Sequence, residues 1–146
     1  MRLKDVLFVG LQFVLFGCYA LELPALSFAR PPALGYLGLF LAFTGLCTGA
    51  LALLQMKTSF SPFPTPISGG NLVTSGMFAL ARHPIYSSIL LGAFGFAIYS
   101  GSGYRLAVTI ALLQLFNAKA GYEETLLMKA YSDYSDYMKQ VGRFWR

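Results

Sequence analysis

The chain has 146 residues, 56% hydrophobic and 12% charged, with a formal net charge of +5. A soluble domain carries roughly 45 to 50% apolar and about 25% charged residues, so the composition excludes an ordinary water-soluble protein and suits a bilayer. The length leaves room for one domain, of which three or four spans of about 20 residues each would take over half.

In chain order, residues 6–21 carry no charge and, after the single Glu22, residues 23–29 continue the apolar run. We read residues 6–28 as the first span, ending near Pro24. Arg2 and Lys4 imitate a signal-peptide start and Ser27-Phe28-Ala29 a weak cleavage site, but an uncleaved anchor is expected. Residues 33–56 form the second span, behind the Arg30-Pro31-Pro32 turn. A third span is predicted over 84–100, closed by Gly101-Ser102-Gly103, and a fourth over 104–122, its helix running on past Lys119 into Glu123-Glu124. The apolar part of the fourth is short, so it tilts or emerges early.

Between the second and third spans, residues 57–83 hold Pro62, Pro64, Pro66, Gly69, Gly70 and Gly76, which forbid a spanning helix. Phe60, Phe63, Leu72, Val73 and Phe78 argue against disorder, and the segment is expected to fold back as the wall of a site. The C-terminal part, residues 123–142, is amphipathic: Leu127, Tyr131, Tyr134, Met138 and Val141 recur at steps of four and three. A helix packed on the bundle or lying among headgroups fits that stripe, and so does a lid over a ligand. Phe144-Trp145 between Arg143 and Arg146 suits an interfacial anchor. The expected fold class is therefore all-α, a polytopic membrane bundle of about four transmembrane helices plus a C-terminal amphipathic helix.

Charge orients the bundle. With a cytoplasmic N-terminus and four spans, Arg2, Lys4, Lys57, Arg82, Lys119, Lys129, Lys139, Arg143 and Arg146 lie on the cytoplasmic side, and only Arg30 and Arg105 lie outside. The termini, the 57–83 loop and Glu123-Glu124 then share the cytoplasmic face of a multi-pass protein, in a prokaryotic inner membrane or the endoplasmic reticulum. The positive charge follows from this bias and from attraction to anionic membrane lipids, with no nucleic acid as partner. Cys18 and Cys47 fall inside spans and read as small core residues, and His83 is the only histidine, so no metal site is expected.

Arg82-His83-Pro84-Ile85-Tyr86 and Glu123-Glu124 are the polar groups that stand out. Either could be bland: a helix cap meeting lipid phosphate, and the solvated end of a helix. Together they offer carboxylates to an ammonium and helix-start amides to a carboxylate, two poles that fit an amino-acid-like zwitterion.

With Leu72-Val73-Thr74-Ser75-Gly76 ahead of them and Tyr134, Tyr137, Val141 and Arg143-Phe144 behind, these residues resemble the isoprenylcysteine carboxyl methyltransferase family, which is similar to phospholipid N-methyltransferases. The match runs from about residue 60 to 144. It implies a single membrane-embedded methyltransferase domain over residues 1–146 that uses S-adenosylmethionine and acts on a lipid-like acceptor reached from the bilayer, either the carboxylate of a prenylated cysteine or an amine head group. By the same resemblance Leu72 and Val73 line the cofactor pocket, His83, Pro84, Ile85 and Tyr86 touch the cofactor, and Glu123 holds its polar end, with Glu124 as second choice. Phe78 stands where the family often has tyrosine, Ser88 replaces a frequent glycine, and no proline follows Trp145. Lys119 takes the place of a basic arginine near the acceptor, without the bidentate fork. Its bland alternative is a lysine snorkelling where the fourth span leaves the membrane. Two other readings stay open, a sterol-type NADPH reductase with a similar Arg-His-Pro-x-Tyr run and a non-enzymatic small membrane subunit.

Overall fold

A computed structural model describes residues 2–56, 61–66 and 71–145. Among them the chain forms five α-helices: α1 Leu3–Ala20, α2 Pro32–Met56, α3 Pro84–Ser100, α4 Gly103–Ala130 and α5 Tyr134–Gln140. Short 3-10 turns occupy Pro24–Leu26 and Gly76–Ala79. Helices α1 and α2 are long and apolar enough to cross a membrane, while α3 is apolar but shorter. At 1.5 Å per residue it spans about 25 Å.

Two boundaries correct the sequence reading. The first span stops at Ala20 rather than running to residue 28, because Pro24 cannot continue a helix and its ring would meet the carbonyl four residues back. The helix of the fourth span runs on into Glu123-Glu124 as expected, but does not end there. Helix α4 continues to Ala130 because all of residues 123–130 except Thr125 are strong helix formers and no glycine or proline breaks the ladder. The amphipathic segment expected as one helix over 123–142 is therefore the last two turns of α4, a break at Tyr131, Ser132 and Asp133, and the short α5.

The helices pack in the spatial order α1, α4, α3, α2. The α2–α3 seam is the tightest. The buried residues of α2 are Gly35, Gly38, Gly45 and Ala52, whereas Leu46 and Leu54 point outward, 70% and 71% exposed. Small residues inside and large apolar ones outside is the packing of a helix whose solvent is lipid. At Gly95 a Cβ would lie 2.4 Å from the backbone nitrogen of Ala42, so the two backbones touch. Cys47 is exposed on this helix, which corrects its reading as a core residue, whereas Cys18 is half-buried against the core of α3 and α4.

The central core is Leu90, Val108, Leu112 and Phe116, between α3 and α4. At the far end Gly101 caps α3 at φ 64 and accepts a hydrogen bond from the amide of Phe28 at 2.8 Å. That region of φ costs glycine nothing. The starts of α1 and α3, the end of α2 and the last turns of α4 gather at the other end with residues 61–66, 71–82 and the C-terminal segment, and the candidate site lies there.

Candidate functional site

A half-open cavity of about 310 Å³ lies at this end. Helix α3 supplies one wall because Pro84 stands at its first position, where a missing N–H costs nothing. The ring of Tyr86, one turn in, is parallel to His83 at 5.3 Å and to Phe116 at 4.7 Å between centroids. This stack ties the site to the core. Helix α4 brings Lys119, Glu123 and Leu127 to the opposite wall, at i, i+4 and i+8. Phe63, Leu72, Val73 and Phe78 close the loop side, as expected of the 57–83 segment, while Phe60 lies outside the described residues.

The sequence-predicted residues Leu72, Val73, Phe78, His83, Pro84, Ile85, Tyr86, Glu123 and Lys119 all line this one cavity. Glu124 does not. Adjacent helical residues point about 100° apart, and the two acids divide accordingly. Glu123 accepts a hydrogen bond from the Tyr86 hydroxyl at 2.8 Å, with His83 Nδ1 at 3.7 Å. Glu124 turns behind the cavity and takes Arg82 Nη2 at 2.9 Å, Arg143 Nη2 at 2.6 Å and His83 Nε2 at 3.3 Å. His83 thus stands between the two carboxylates. As Nε2 faces an ionised acceptor, the ring is assigned its proton on that nitrogen.

Burial pushes the Glu124 carboxyl up, but hydrogen bonds from His83, Arg143 and Arg82 outweigh it and hold the group well below the usual carboxylate range. The same pairing raises Arg143. Glu123, past the apolar part of α4, is raised, chiefly by burial, against the opposing pull of His83, the Tyr86 hydrogen bond and Lys119.

The Glu124 knot also anchors the C-terminal segment. The amides of Arg82 and His83 donate to the carbonyls of Gly142 and Arg143 at 2.9 and 3.0 Å. Arg82 Nη1 donates to the carbonyls of Met138 and Val141, and the Tyr137 hydroxyl to that of Phe78. Tyr134, Tyr137 and Val141 pack with Leu72 and Leu127. The apolar stripe is used inward, and Tyr131, Tyr134 and Tyr137 become part of the cavity lining.

Lys119 is not a snorkelling lysine. It is 1% exposed, its Nζ donates to Gln12 Oε1 at 2.6 Å and to the Pro62 carbonyl at 2.9 Å, and it lies 5.2 Å from the centroid of the Tyr86 ring. Sequence reasoning assigned no role to α1, yet Asp5, Val9 and Gln12 are its buried face. Asp5 accepts from Thr65 Oγ1 at 2.6 Å, pinning the loop that carries Pro62. The available signal was a glutamine interrupting an apolar span, an expensive placement without a partner.

The phospholipid methyltransferase family profile matches residues 33–134. The chain belongs to this family. Its members generally use S-adenosylmethionine as methyl donor. Over 116 residues the chain is 31% identical to the cobalt-zinc-cadmium resistance protein CzcN of Cupriavidus metallidurans, covering 77% of this chain and 47% of that protein. The fold is similar to that of the eukaryotic intramembrane Ras methyltransferase ICMT, an isoprenylcysteine carboxyl methyltransferase, with a TM-score of 0.72 and 23% identity over 97% of this chain and 49% of that one. The chain thus spans about half the length of the proteins it matches.

The cavity suits the family's cofactor in its donor set. A carboxylate for an ammonium or sulfonium, four tyrosines and an apolar wall for a flat base are present. The Tyr134 hydroxyl is buried there with no hydrogen-bond partner among the described residues, which leaves a donor for a ligand.

Proposed function

We propose that this chain is an S-adenosylmethionine-dependent integral membrane methyltransferase acting on a lipid-like acceptor. The observation that carries the reading is the convergence of His83, Tyr86, Glu123 and Lys119 on one cavity, although Tyr86 and Glu123 are 37 positions apart. Family membership supports the cofactor. Bound there, it supplies a methyl group already activated on a sulfonium, so no nucleophilic side chain is required. Glu123, held by Tyr86, is placed to bind the ammonium pole. Tyr131, Tyr134 and Tyr137 are suited to enclose the base, and the C-terminal segment to keep water out. Catalysis then rests on alignment at about 3 to 3.5 Å and on desolvation.

The acceptor is proposed to arrive laterally. Beside the cavity an apolar groove between α2 and α3 shares Leu53, Ile85 and Ile89 with it, a path that suits a hydrocarbon tail. In this reading α1 to α4 cross the membrane, the termini and site face the cytoplasm, and Lys119 orients the acceptor head group. Detergent-solubilised protein should be stabilised against heat by S-adenosylhomocysteine and not by NADPH. Stabilisation by NADPH alone would point to a reductase, and by neither to a non-enzymatic subunit.

A further inference from the structure

Residues 61–66 of the loop all line the cavity, and three of them, Pro62, Pro64 and Pro66, have no backbone N–H to donate. Such a segment is stiff but poorly equipped to pair its backbone with a neighbour, so a side chain has to anchor it. Thr65 is that side chain. Its hydroxyl donates to Asp5 Oδ2 at 2.6 Å, across 60 positions of sequence. Asp5 lies in the first turn of α1, where the Arg2 amide also donates to Oδ2, at 3.3 Å. Helix capping accounts for an acid at this position but not for its burial: Asp5 is 0% exposed, and its Oδ1 has no hydrogen-bond partner among the described residues. An acid on the helix surface would cap as well without that desolvation cost, so the contact with Thr65 is what the burial provides.

The same face of α1 reaches Lys119. Asp5, Val9 and Gln12 stand at i, i+4 and i+7. Lys119 Nζ donates to Gln12 Oε1 at 2.6 Å and to the Pro62 carbonyl at 2.9 Å, and the opposite charge of Glu123, one turn along α4, acts on the lysine as well. The strap 61–66 is thus tied at Pro62 to α4 and at Thr65 to α1. Helix α1 lies outside the residues that the family profile matches.

We propose that Asp5 is a positioning residue of the site: through Thr65 it fixes the proline-rich strap over Lys119, so that α1 completes a cavity whose chemistry comes from α3 and α4. Among the described residues Asp5 is not part of the cavity lining, and it acts only through Thr65. With the latch made, the Pro62 carbonyl stays on the lysine and the strap keeps a bound ligand from leaving on that side. With it broken, the stiff segment has lost one of these two ties and Lys119 meets solvent. The consequence for ligand retention rests on the methyl-transfer reading, whereas the latch rests on the contacts of Asp5 and Thr65.

Two measurements on the full chain in detergent test this. Acylation of Lys119 by a water-soluble succinimidyl ester, read by peptide mass spectrometry against the exposed Lys139, reports on the strap without any ligand. The dissociation rate of S-adenosylhomocysteine reports on retention. Thr65→Val keeps the shape and removes the hydroxyl, and should speed both by about tenfold or more, the scale of one lost hydrogen bond to a charged group. Thr65→Ser keeps the hydroxyl and should stay within about twofold of wild type, a fraction of that bond. Asp5→Ala should match Thr65→Val, and the double variant should be no faster than either single one, because both remove the same contact. If Asp5→Ala fails to fold, the two Thr65 variants decide. Wild-type labelling in folded Thr65→Val overturns the latch, and faster labelling with unchanged S-adenosylhomocysteine release makes the contact structural only and overturns the positioning role. Failure of S-adenosylhomocysteine to bind wild type is a different result: it removes the methyl-transfer reading and leaves the labelling to decide the latch.

Discussion

The hydroxyl of Tyr86 and the carboxylate of Glu123 meet at 2.8 Å in the cavity lining, between the first turn of α3 and the sixth of α4. The same tyrosine ring is parallel to those of His83 and Phe116, so the contact that presents the acid is braced by the core. Tyr86→Phe should keep the stack and lose the hydrogen bond, costing about 1.5 to 3 kcal/mol of S-adenosylhomocysteine binding if the charge it holds is used. His83→Ala and Glu123→Ala should weaken binding at least as much. Calorimetric titration of the folded variants checks this, and unchanged affinity in all three would remove the site.

Glu124 predicts an acid-sensitive fold. Its folded pKa is depressed, so its stabilising contribution is complete above the unfolded value near 4.5 and declines as pH falls below it toward the folded value. Apparent stability should drop from about pH 5 downward. Glu124→Gln should flatten that slope and lower stability near neutrality by about 3 to 5 kcal/mol, because Arg82 and Arg143 lose their buried partner. Thermal melts from pH 3 to 7 measure both effects. A wild-type-like slope in the variant would show that Glu124 is not the group titrating.

The seam between α2 and α3 has no spare volume at Gly95. Gly95→Ala should push the helices apart and cost about 1 to 3 kcal/mol, as overpacking does, seen as a lowered melting temperature. Gly10, where a Cβ meets nothing within 4 Å among the described residues, is the control: Gly10→Ala should be neutral or slightly stabilising.

The proposed topology places Ser27 and Ser135 on opposite faces, and both are exposed. Ser102 is only 2% exposed and would make a poor probe. Single cysteines at Ser27 and Ser135, in a background lacking Cys18 and Cys47, should react with impermeant reagents from opposite sides of the membrane. Labelling from the same side would contradict four crossings.

Composition and apolar runs alone were enough to read a membrane-type helical chain, because a helix that must satisfy its own backbone in lipid shows itself as an uninterrupted apolar stretch. Proline and glycine were enough to place the starts of α2 and α3, since their effects are local. Part of one cavity's lining was also legible, through the family resemblance that the His-Pro-x-Tyr run and the acidic pair carry, although Glu124 does not line it. Three things needed the tertiary structure. The end of α4 could not be read from hydropathy, which tracks solvent rather than helix continuity: α4 leaves the apolar stretch and keeps winding to Ala130. The division of labour between Glu123 and Glu124 depends on which way each points, and adjacent residues become different groups only once the helix phase is known. Gln12 shows along the chain only as a polar break in an apolar span, and neither it nor Asp5 reveals there which group it meets. Their significance comes from Lys119 and Thr65 lying against them at 2.6 Å, contacts between α1 and segments 107 and 60 residues away, which packing alone creates.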